Sequence, residues 1–460
     1  MTETVAVPLW LLLLILAFAG ITFASHFLFP SVRWFFRKRM ERVVAQLNAR
    51  LDRPIEPFKL ARRQDMIARL LYDPAVLEAV TEHATEAGVP GSVAFEEARD
   101  YAREIVPAFS ATLYFGVAIR LARGLSRALY RVRIGKVDAA LGQIDPRATV
   151  VFVMNHRSNM DYVLITWLVA NRAQVSYAVG EWARVWPLSR LIRAMGAYFI
   201  RRGSRNTLYR RVLARYVQMA TSDGTTQAIF PEGGLSLDGR VGTAKMGLFS
   251  YIVAGYQPGG RDVVFVPVGL AYDRVLEDRI LTDAQAAGSR QFRGKPLVIA
   301  GFVARVIWRK LRGSFKGFGT AAAGFGAPVS LRAFMADYPD TPTETLGAHL
   351  MAEIERVVPV LPVPLVAAAL AEGPADRAAL GRIADRLLAE LAVAGAVLKL
   401  APEGLQATLE EGLAPLIARG LLGEDLQPTA AGQPILTFYA APVWQRLGRG
   451  FVDIAATRQT

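Results

Sequence analysis

An α/β fold built on a mostly parallel sheet flanked by helices, with an N-terminal transmembrane helix and helical regions at both ends, is what the sequence predicts. Three observations predict it. From about residue 149, short β-branched runs alternate with helical stretches of ten or more residues, the texture of βα units. Near the N-terminus lies "VPLWLLLLILAFAGITFASHFLF", almost wholly apolar. After about 338 the composition turns rich in Ala, Leu and Glu, with "PADRAALGRIADRLLAELAVAG" and "PEGLQATLEEGLAPLIARGLL" as amphipathic helices.

Taken in order, residues 1–32 suit a membrane-spanning signal anchor. No Asp, Glu, Lys or Arg lies between Glu3 and Arg33, and ~20 apolar residues span ~30 Å of hydrocarbon. A cleaved signal peptide would carry a basic start, where this chain has "MTET". The basic segment from Arg33 to Arg42 follows directly. Positive flanks stay cytoplasmic, so the rest of the chain is expected on the cytoplasmic side. Residues 33–135 form a basic, membrane-proximal helical region. Within it, "PAFSATLYFGVAIRLARGLSRALYRVRIG" (107–135) has no acid and reads as one long helix, lying in the membrane interface or packed on the core. Residues 136–338 form the α/β domain. Its strands are "TVVFVM", "QVSYAVG", "AYFIRRG", "TQAIF", "RDVVFVPVGLAYDRV" and a last one in "AAGFGAPVSL". Near its end "GFVARVIWRKLRGSFKG" (301–317) is basic and amphipathic, either a membrane contact or a helix packed on the sheet. Residues 339–460 are a separate C-terminal helical region.

Composition narrows the chemistry. The chain has 460 residues, no cysteine and four histidines, which excludes disulfides, thiolate metal sites and cysteine nucleophiles. Four histidines also speak against a histidine-rich metal centre. A net charge of +14 asks for anionic partners. Nucleic acid is disfavoured, because no basic face carries interleaved aromatics.

Polar turns fall where the predicted strands end, the place where parallel sheets hold ligands. In "MNHRSNMDYVL" (154–164), His156 and Asp161 are five residues apart. A regular helix would set them ~140° apart. They meet only if His156 stands in the turn and Asp161 in the first turn of the next helix, which Ser158 or Asn159 can cap. A carboxylate accepting from Nδ1–H fixes the imidazole tautomer and frees Nε2 to take a proton from a hydroxyl. A turn histidine beside a helix N-terminal charge is the plainer alternative. Between Glu181 and Asp223 stand nine arginines and no acid. Arg201 and Arg202 close a strand, where guanidinium forks can grip phosphate; Arg205, Arg210, Arg211 and Arg215 suit a solvated face. In "FPEGGLSLDGR" (230–240) glycines let backbone N–H groups approach a ligand. Glu232 can accept from substrate hydroxyls, and Arg240 and Lys245 add positive charge nearby. In "FVPVGLAYD" (265–273) Pro267 supports the site wall.

The four stretches together resemble the sequence blocks of the glycerolipid acyltransferase superfamily, most nearly its bacterial membrane-bound glycerol-3-phosphate 1-acyltransferases. "NHRSNMDYVL" is similar to the His-x4-Asp block, "WPLSRLIRAMGAYFIRR" to the second, "FPEGG" to the third and "VPVGLAYDRV" to the fourth. The likeness is firm over 149–275 and looser to about 445. It implies acyl transfer from acyl-CoA or acyl-carrier protein to the 1-hydroxyl of glycerol 3-phosphate, giving lysophosphatidic acid, with anionic membrane lipids nearby and no metal or bound cofactor. By position it implies His156 as general base and Asp161 as its orienting partner, with Arg157 and Ser158 completing the block. Arg201 and Arg202 would hold the phosphate, and Glu232, Gly233 and Gly234 the glycerol. One departure stands out: the family often has arginine after the two glycines, and this chain has Leu235. Phosphate would then lean on Arg201, Arg202, Arg240 or Lys245, or the acceptor differs. A 1-acylglycerol-3-phosphate acyltransferase is the nearest alternative. A non-catalytic protein binding acidic lipids is another, though it leaves the clustered strand-end residues unexplained.

Overall fold

The structure, a computed structural model, describes residues 8–450 apart from 52, 136–140, 171–172, 181–187, 202, 290–305, 307, 314, 316, 375 and 424. It divides into two units, residues 1–55 with 171–173 and residues 56–170 with 174–460.

The first unit is one helix, α1 (Leu9–Asn48), whose start exposes Leu9, Trp10, Leu13 and Leu14. Among the described residues no helix is long and apolar enough to cross a membrane. The transmembrane helix expected over 1–32 therefore has no carrier among them. Most side chains between 21 and 43 fall outside the description, and residues 8–20 alone span ~20 Å at ~1.5 Å per residue, short of ~30 Å.

The second unit opens with α2 (Arg63–Leu71), α3 (Pro74–Ala87) and α4 (Gly91–Ile105). The stretch 107–135, expected as one helix, is broken. A turn at Ala111–Leu113, a π-helical turn at Tyr114–Ala118 and α5 (Ile119–Leu129) give way to β1 (Arg131–Ile134). Pairing decides the switch: β1 lies parallel to β7 (Thr320–Phe325), with Arg131 opposite Thr320. On α5, Ile119, Ala122 and Ser126 face inward at helical spacing, while Leu121 and Leu125 are exposed.

The remaining strands are β2 (Thr149–Met154), β3 (Ser176–Val179), β4 (Tyr198–Phe199), β5 (Gln227–Ile229), β6 (Val263–Tyr272) and β8 (Val329–Ser330). Their order is β1-β7-β6-β2-β5-β3-β4, with β8 also on β6. The run from β6 to β4 is parallel throughout; β7 and β8 meet β6 antiparallel. The mixed, mostly parallel sheet matches the expected class. Pro267 sits in the interval of β6 between its β8 and β7 partners, so its missing N–H breaks no ladder bond there.

Both faces of the sheet are covered, which is why β2 is a continuous apolar run rather than an alternating one. Val150, Phe152 and Met154 point into one core and Val151 and Val153 into the other. The second core takes in α2 to α4 and the later helices α8 (Thr207–Ser222), α9 (Gly247–Ala254), α11 (Leu331–Asp337) and α12 (Pro342–Val357). The first includes α6 (Met160–Leu168). It also takes in the C-terminal helices α13 (Pro362–Leu370), α14 (Arg377–Val393), α15 (Leu405–Ala418) and α16 (Gln433–Arg446). The helices after 338, separate by composition, thus pack into the sheet's own two cores, α12 on one face and α13 to α16 on the other. Further described helices are α7 (Leu188–Ala194) and α10 (Asp278–Ala286), with a single turn at Pro57–Leu60 before α2. Much of the amphipathic stretch 301–317 lies outside the described residues.

One buried carboxylate ties these layers. Asp273, directly after β6, accepts from Thr320 N at 2.6 Å and from Val363 N, in the first turn of α13, at 2.9 Å. Burial pushes its carboxyl up to about 6. Asp273→Ala leaves two buried N–H groups without an acceptor and should destabilise the fold by about 2–4 kcal/mol, read as a lower urea midpoint at unchanged slope.

Candidate active site

β2 ends at Met154, and the chain turns through Asn155–Asn159 into α6. The turn is locked to β6 at once: Asn155 Nδ2 donates to Leu270 O at 3.0 Å, and Leu270 N donates to Asn155 Oδ1 at 2.7 Å. His156 follows, 2% exposed, and Asp161 in the first turn of α6 is fully buried. Their side chains meet as the spacing requires, with His156 Nδ1 2.9 Å from Asp161 Oδ2. The same oxygen accepts from Arg157 N at 2.7 Å and Ser158 N at 3.0 Å. Two backbone N–H groups already donate to that acceptor, so the imidazole meets it with Nδ1–H and presents Nε2 as the group with a free lone pair. Tyr272, at the end of β6, donates to the other oxygen at 2.7 Å.

Two further acids brace the turn. Glu232, following β5, accepts from His156 N at 3.1 Å, while Ser236 N donates to His156 O at 2.9 Å. Both main-chain groups of the histidine are therefore held by the glycine turn. Burial pushes Glu232 up to about 7, opposed by the His156 N–H and Arg157. From the other side Glu277 accepts from Ser158 Oγ at 2.8 Å, Asn159 N at 3.2 Å and Asn159 Nδ2 at 3.0 Å. Burial raises its carboxyl too. The cap differs from expectation in detail: the Ser158 hydroxyl accepts from Met160 N at 3.1 Å, and the Asn159 side chain turns to Glu277 instead. Phe230 stacks on the imidazole at 4.2 Å between centroids, and Tyr162 meets it edge-on at 5.5 Å.

The other predicted residues divide. Gly233 adopts φ +67, and a Cβ there would stand 2.8 Å from Lys245 Cδ and 3.3 Å from its Nζ. Lys245, exposed, is anchored by its N–H to Pro231 O at 2.8 Å. The glycine turn and the lysine are therefore together. Gly234 is buried in that turn, and Arg240 lies partly buried beyond it, its N–H donating to Asp238 Oδ1 at 3.0 Å. Leu235 packs partly buried against the sheet core.

Arg157 does not face outward. It is 3% exposed, donates to Gly239 O and stacks over Phe438. Arg201 stands after β4, three strand spacings from β2, or about 14 Å at ~4.8 Å each. Its fork is engaged by Glu104, Nε donating to Oε1 at 3.0 Å and Nη2 to Oε2 at 2.7 Å, between the rings of Tyr101 and Tyr209. Arg202 lies outside the described residues. Sequence reasoning missed Tyr272, Glu277 and Phe438 as parts of this assembly. Tyr272 alone carried a signal, being in the fourth block.

Against known proteins, residues 140–271 match the Acyltransferase family model. That region, which holds His156, Asp161 and Glu232, is thus similar to the acyltransferase family. Among relatives, the glycerol-3-phosphate acyltransferase of Pseudomonas entomophila is 26% identical over 392 residues, 80% of this chain and 45% of that protein. Those of Actinobacillus succinogenes and Xanthomonas campestris are 33% and 28% identical, over 60% and 77% of this chain and 33% and 42% of theirs. This chain thus spans less than half the length of each. The solved 1-acyl-sn-glycerophosphate acyltransferase of Thermotoga maritima is 18% identical over 60% of this chain and 95% of its own, at a TM-score of 0.32.

Glu232 makes this region pH-sensitive. Its carboxyl is raised from 4.5 to about 7, so the folded state keeps a proton that the unfolded chain has lost between those values. Stability therefore falls as pH rises from ~4.5 to ~7. Urea midpoints across that window should decline for the wild type and decline less steeply for Glu232→Gln, the remainder coming from Asp273 and Glu277.

Proposed function

We propose that the chain transfers an acyl group from acyl-CoA or acyl-carrier protein to the 1-hydroxyl of glycerol 3-phosphate, giving lysophosphatidic acid. The observation that carries this is the buried His156 Nδ1–Asp161 Oδ2 bond of 2.9 Å, within a region of the acyltransferase family. Asp161 holds the imidazole with Nε2 unprotonated. Nε2 takes the hydroxyl proton as the acceptor oxygen forms its bond to the thioester carbonyl carbon. The tetrahedral intermediate collapses with cleavage of the C–S bond, and the imidazolium returns the proton to the leaving thiolate. Each cycle leaves the histidine as it began, and no redox partner is needed.

In this reading the acceptor lies over the glycine turn. Gly233 and Gly234 leave room for it beside the backbone, Glu232 accepts from its hydroxyls, and Lys245, with Arg240 behind, meets its phosphate. Arg201, held by Glu104, is a more distant contributor. Leu235 is the observation that favours the alternative, a 1-acylglycerol-3-phosphate acceptor acylated on its 2-hydroxyl by the same base, because an apolar side chain replaces a cation beside the turn.

Attachment to the inner membrane, with the site on the cytoplasmic side, belongs to the same proposal. It is supported by the apolar N-terminal sequence, its basic flank at 33–42 and the outward Leu121 and Leu125 beside Arg120 and Arg123. Anionic lipids are the partners such a surface would take.

Purified membranes given a labelled acyl thioester and either acceptor test the reaction. His156→Ala should lower kcat by ~10²–10⁴-fold with the true acceptor; wild-type rates in that variant with both acceptors would refute the assignment. Lys245→Ala should raise KM for the phosphorylated acceptor by about 10- to 100-fold, the weight of a charge-assisted hydrogen bond. The KM for the thioester should stay unchanged, and Arg201→Ala should have the smaller effect. The opposite order would move the phosphate to Arg201.

A further inference from the structure

The matched family region ends at residue 271, yet α16 is built into the wall of the site from both sides. On one side it meets the loop that continues the glycine turn. Gly239 has φ +88, and a Cβ there would collide with the Phe438 carbonyl oxygen and lie 3.3 Å from Arg157 Nη1. Loop and helix therefore touch backbone to backbone. Two residues on, Gln445 closes a pair of bonds with Val241, Oε1 accepting from Val241 N at 2.8 Å and Nε2 donating to Val241 O at 2.9 Å. Between these contacts lies the Arg157 guanidinium, donating to Gly239 O and centred 4.6 Å over the Phe438 ring.

On the other side Tyr439 reaches the segment after β6. Its hydroxyl accepts from Val275 N at 2.8 Å and donates to Asp278 Oδ2 at 2.8 Å, an oxygen also bound by Arg419 at 2.6 Å. That segment contains Glu277, which holds Ser158 and Asn159. One helix thus fixes both flanks of the turn carrying His156.

A buried guanidinium is costly unless its charge is met. Here it is met by a carbonyl and an aromatic face, both dependent on α16. Arg157 N also donates to Asp161 Oδ2 at 2.7 Å, so the side chain anchored at Phe438 belongs to the residue whose main chain orients the catalytic carboxylate. We propose that Phe438, acting through Arg157, is a positioning residue for the His156–Asp161 pair, and that the C-terminal helices complete the active site. On this account Arg157 is a strut, not a ligand for substrate. The inference rests on the acyltransferase reading and assigns a task to residues outside its matched region.

The test uses the full chain in membranes, with glycerol 3-phosphate and acyl-CoA, in a double-mutant cycle of Phe438→Leu and Arg157→Met. Loss of the cation–ring contact should lower kcat in Phe438→Leu by about 3- to 30-fold, with KM for acyl-CoA within error of wild type and the melting temperature lowered only by the small amount a buried Phe-to-Leu change costs. Because both changes break one strut, the double variant should be no slower than the slower single variant. Gln445→Ala, which leaves the ring in place, should expose the 236–242 loop to protease while the rest of the chain stays resistant. Three results would overturn the proposal: wild-type kcat in Phe438→Leu, losses that multiply in the double variant, or a kcat loss that only tracks loss of folded protein. If His156→Ala abolishes transfer while Phe438→Leu behaves as wild type, this inference fails alone; if His156→Ala is active, the acyltransferase reading fails first.

Discussion

A single carboxylate governs the arrangement. Asp161 is fully buried, and a charge so placed must be met by donors or lose its ionisation. It has four: the His156 ring, two successive backbone N–H groups and the Tyr272 hydroxyl. Its place in the first turn of α6 adds the favourable helix dipole. Three of the donors come from the turn itself, so satisfying the charge also dictates the turn's shape. The imidazole is captured as one ligand of that anion. Its orientation is a consequence of burying Asp161, and the same bond leaves Nε2 as the group with basic capacity.

The fourth donor depends on sheet register. β2 and β6 are paired from Thr149 opposite Val263 to Met154 opposite Val268. β6 then runs four residues further, about 13 Å at ~3.3 Å per residue, and that overhang walls the turn. Leu270 exchanges two bonds with Asn155 and Tyr272 reaches Asp161. A slip of one residue would turn both side-chain faces over and remove both contacts. The register is protected by burial on both sides, since adjacent residues of β2 enter different cores. The geometry of the His156–Asp161 pair therefore draws on the packing of the whole second unit.

Much of this was legible in the sequence, for a definable reason. Parallel strands covered on both faces must be apolar throughout, and "TVVFVM" and "VVFVPVGLAY" could hardly be anything else. The His–Asp pair was legible because one turn and one capped helix determine it locally. What escaped was decided by partners distant in the chain. β1 is four residues of alternating Arg and apolar character in a helix-like run, and only pairing with β7 makes it a strand. Arg201 was correctly set at a strand end, but Glu104, nearly a hundred residues earlier, engages its fork. Helical periodicity in 433–446 announces a buried face without naming what buries it, so the contacts of Phe438 and Gln445 could not be foreseen.

The charges around the site follow a pattern that neither composition nor motif reveals. The chain is strongly basic, yet the groups against the His156 turn are acids: Asp161 and Glu232 are buried and Glu277 is partly buried. Arg157 is the cation among them, and its burial is opposed by Tyr439, Glu232 and Asp161, each of which favours its charged form. Lys245 stands at the exposed rim. Such a layering has a physical logic. Buried acids stabilise an imidazolium formed during proton transfer, and low dielectric strengthens that effect. A rim cation can attract an anionic substrate without neutralising the acids beneath. Leu235 fits the same division: its side chain packs on the sheet core, so the inner wall stays apolar and positive charge is kept to the mouth. An arginine at that position would bring a guanidinium to the boundary between the two layers, and its absence leaves Lys245 as the nearest described cation to the Gly233 backbone.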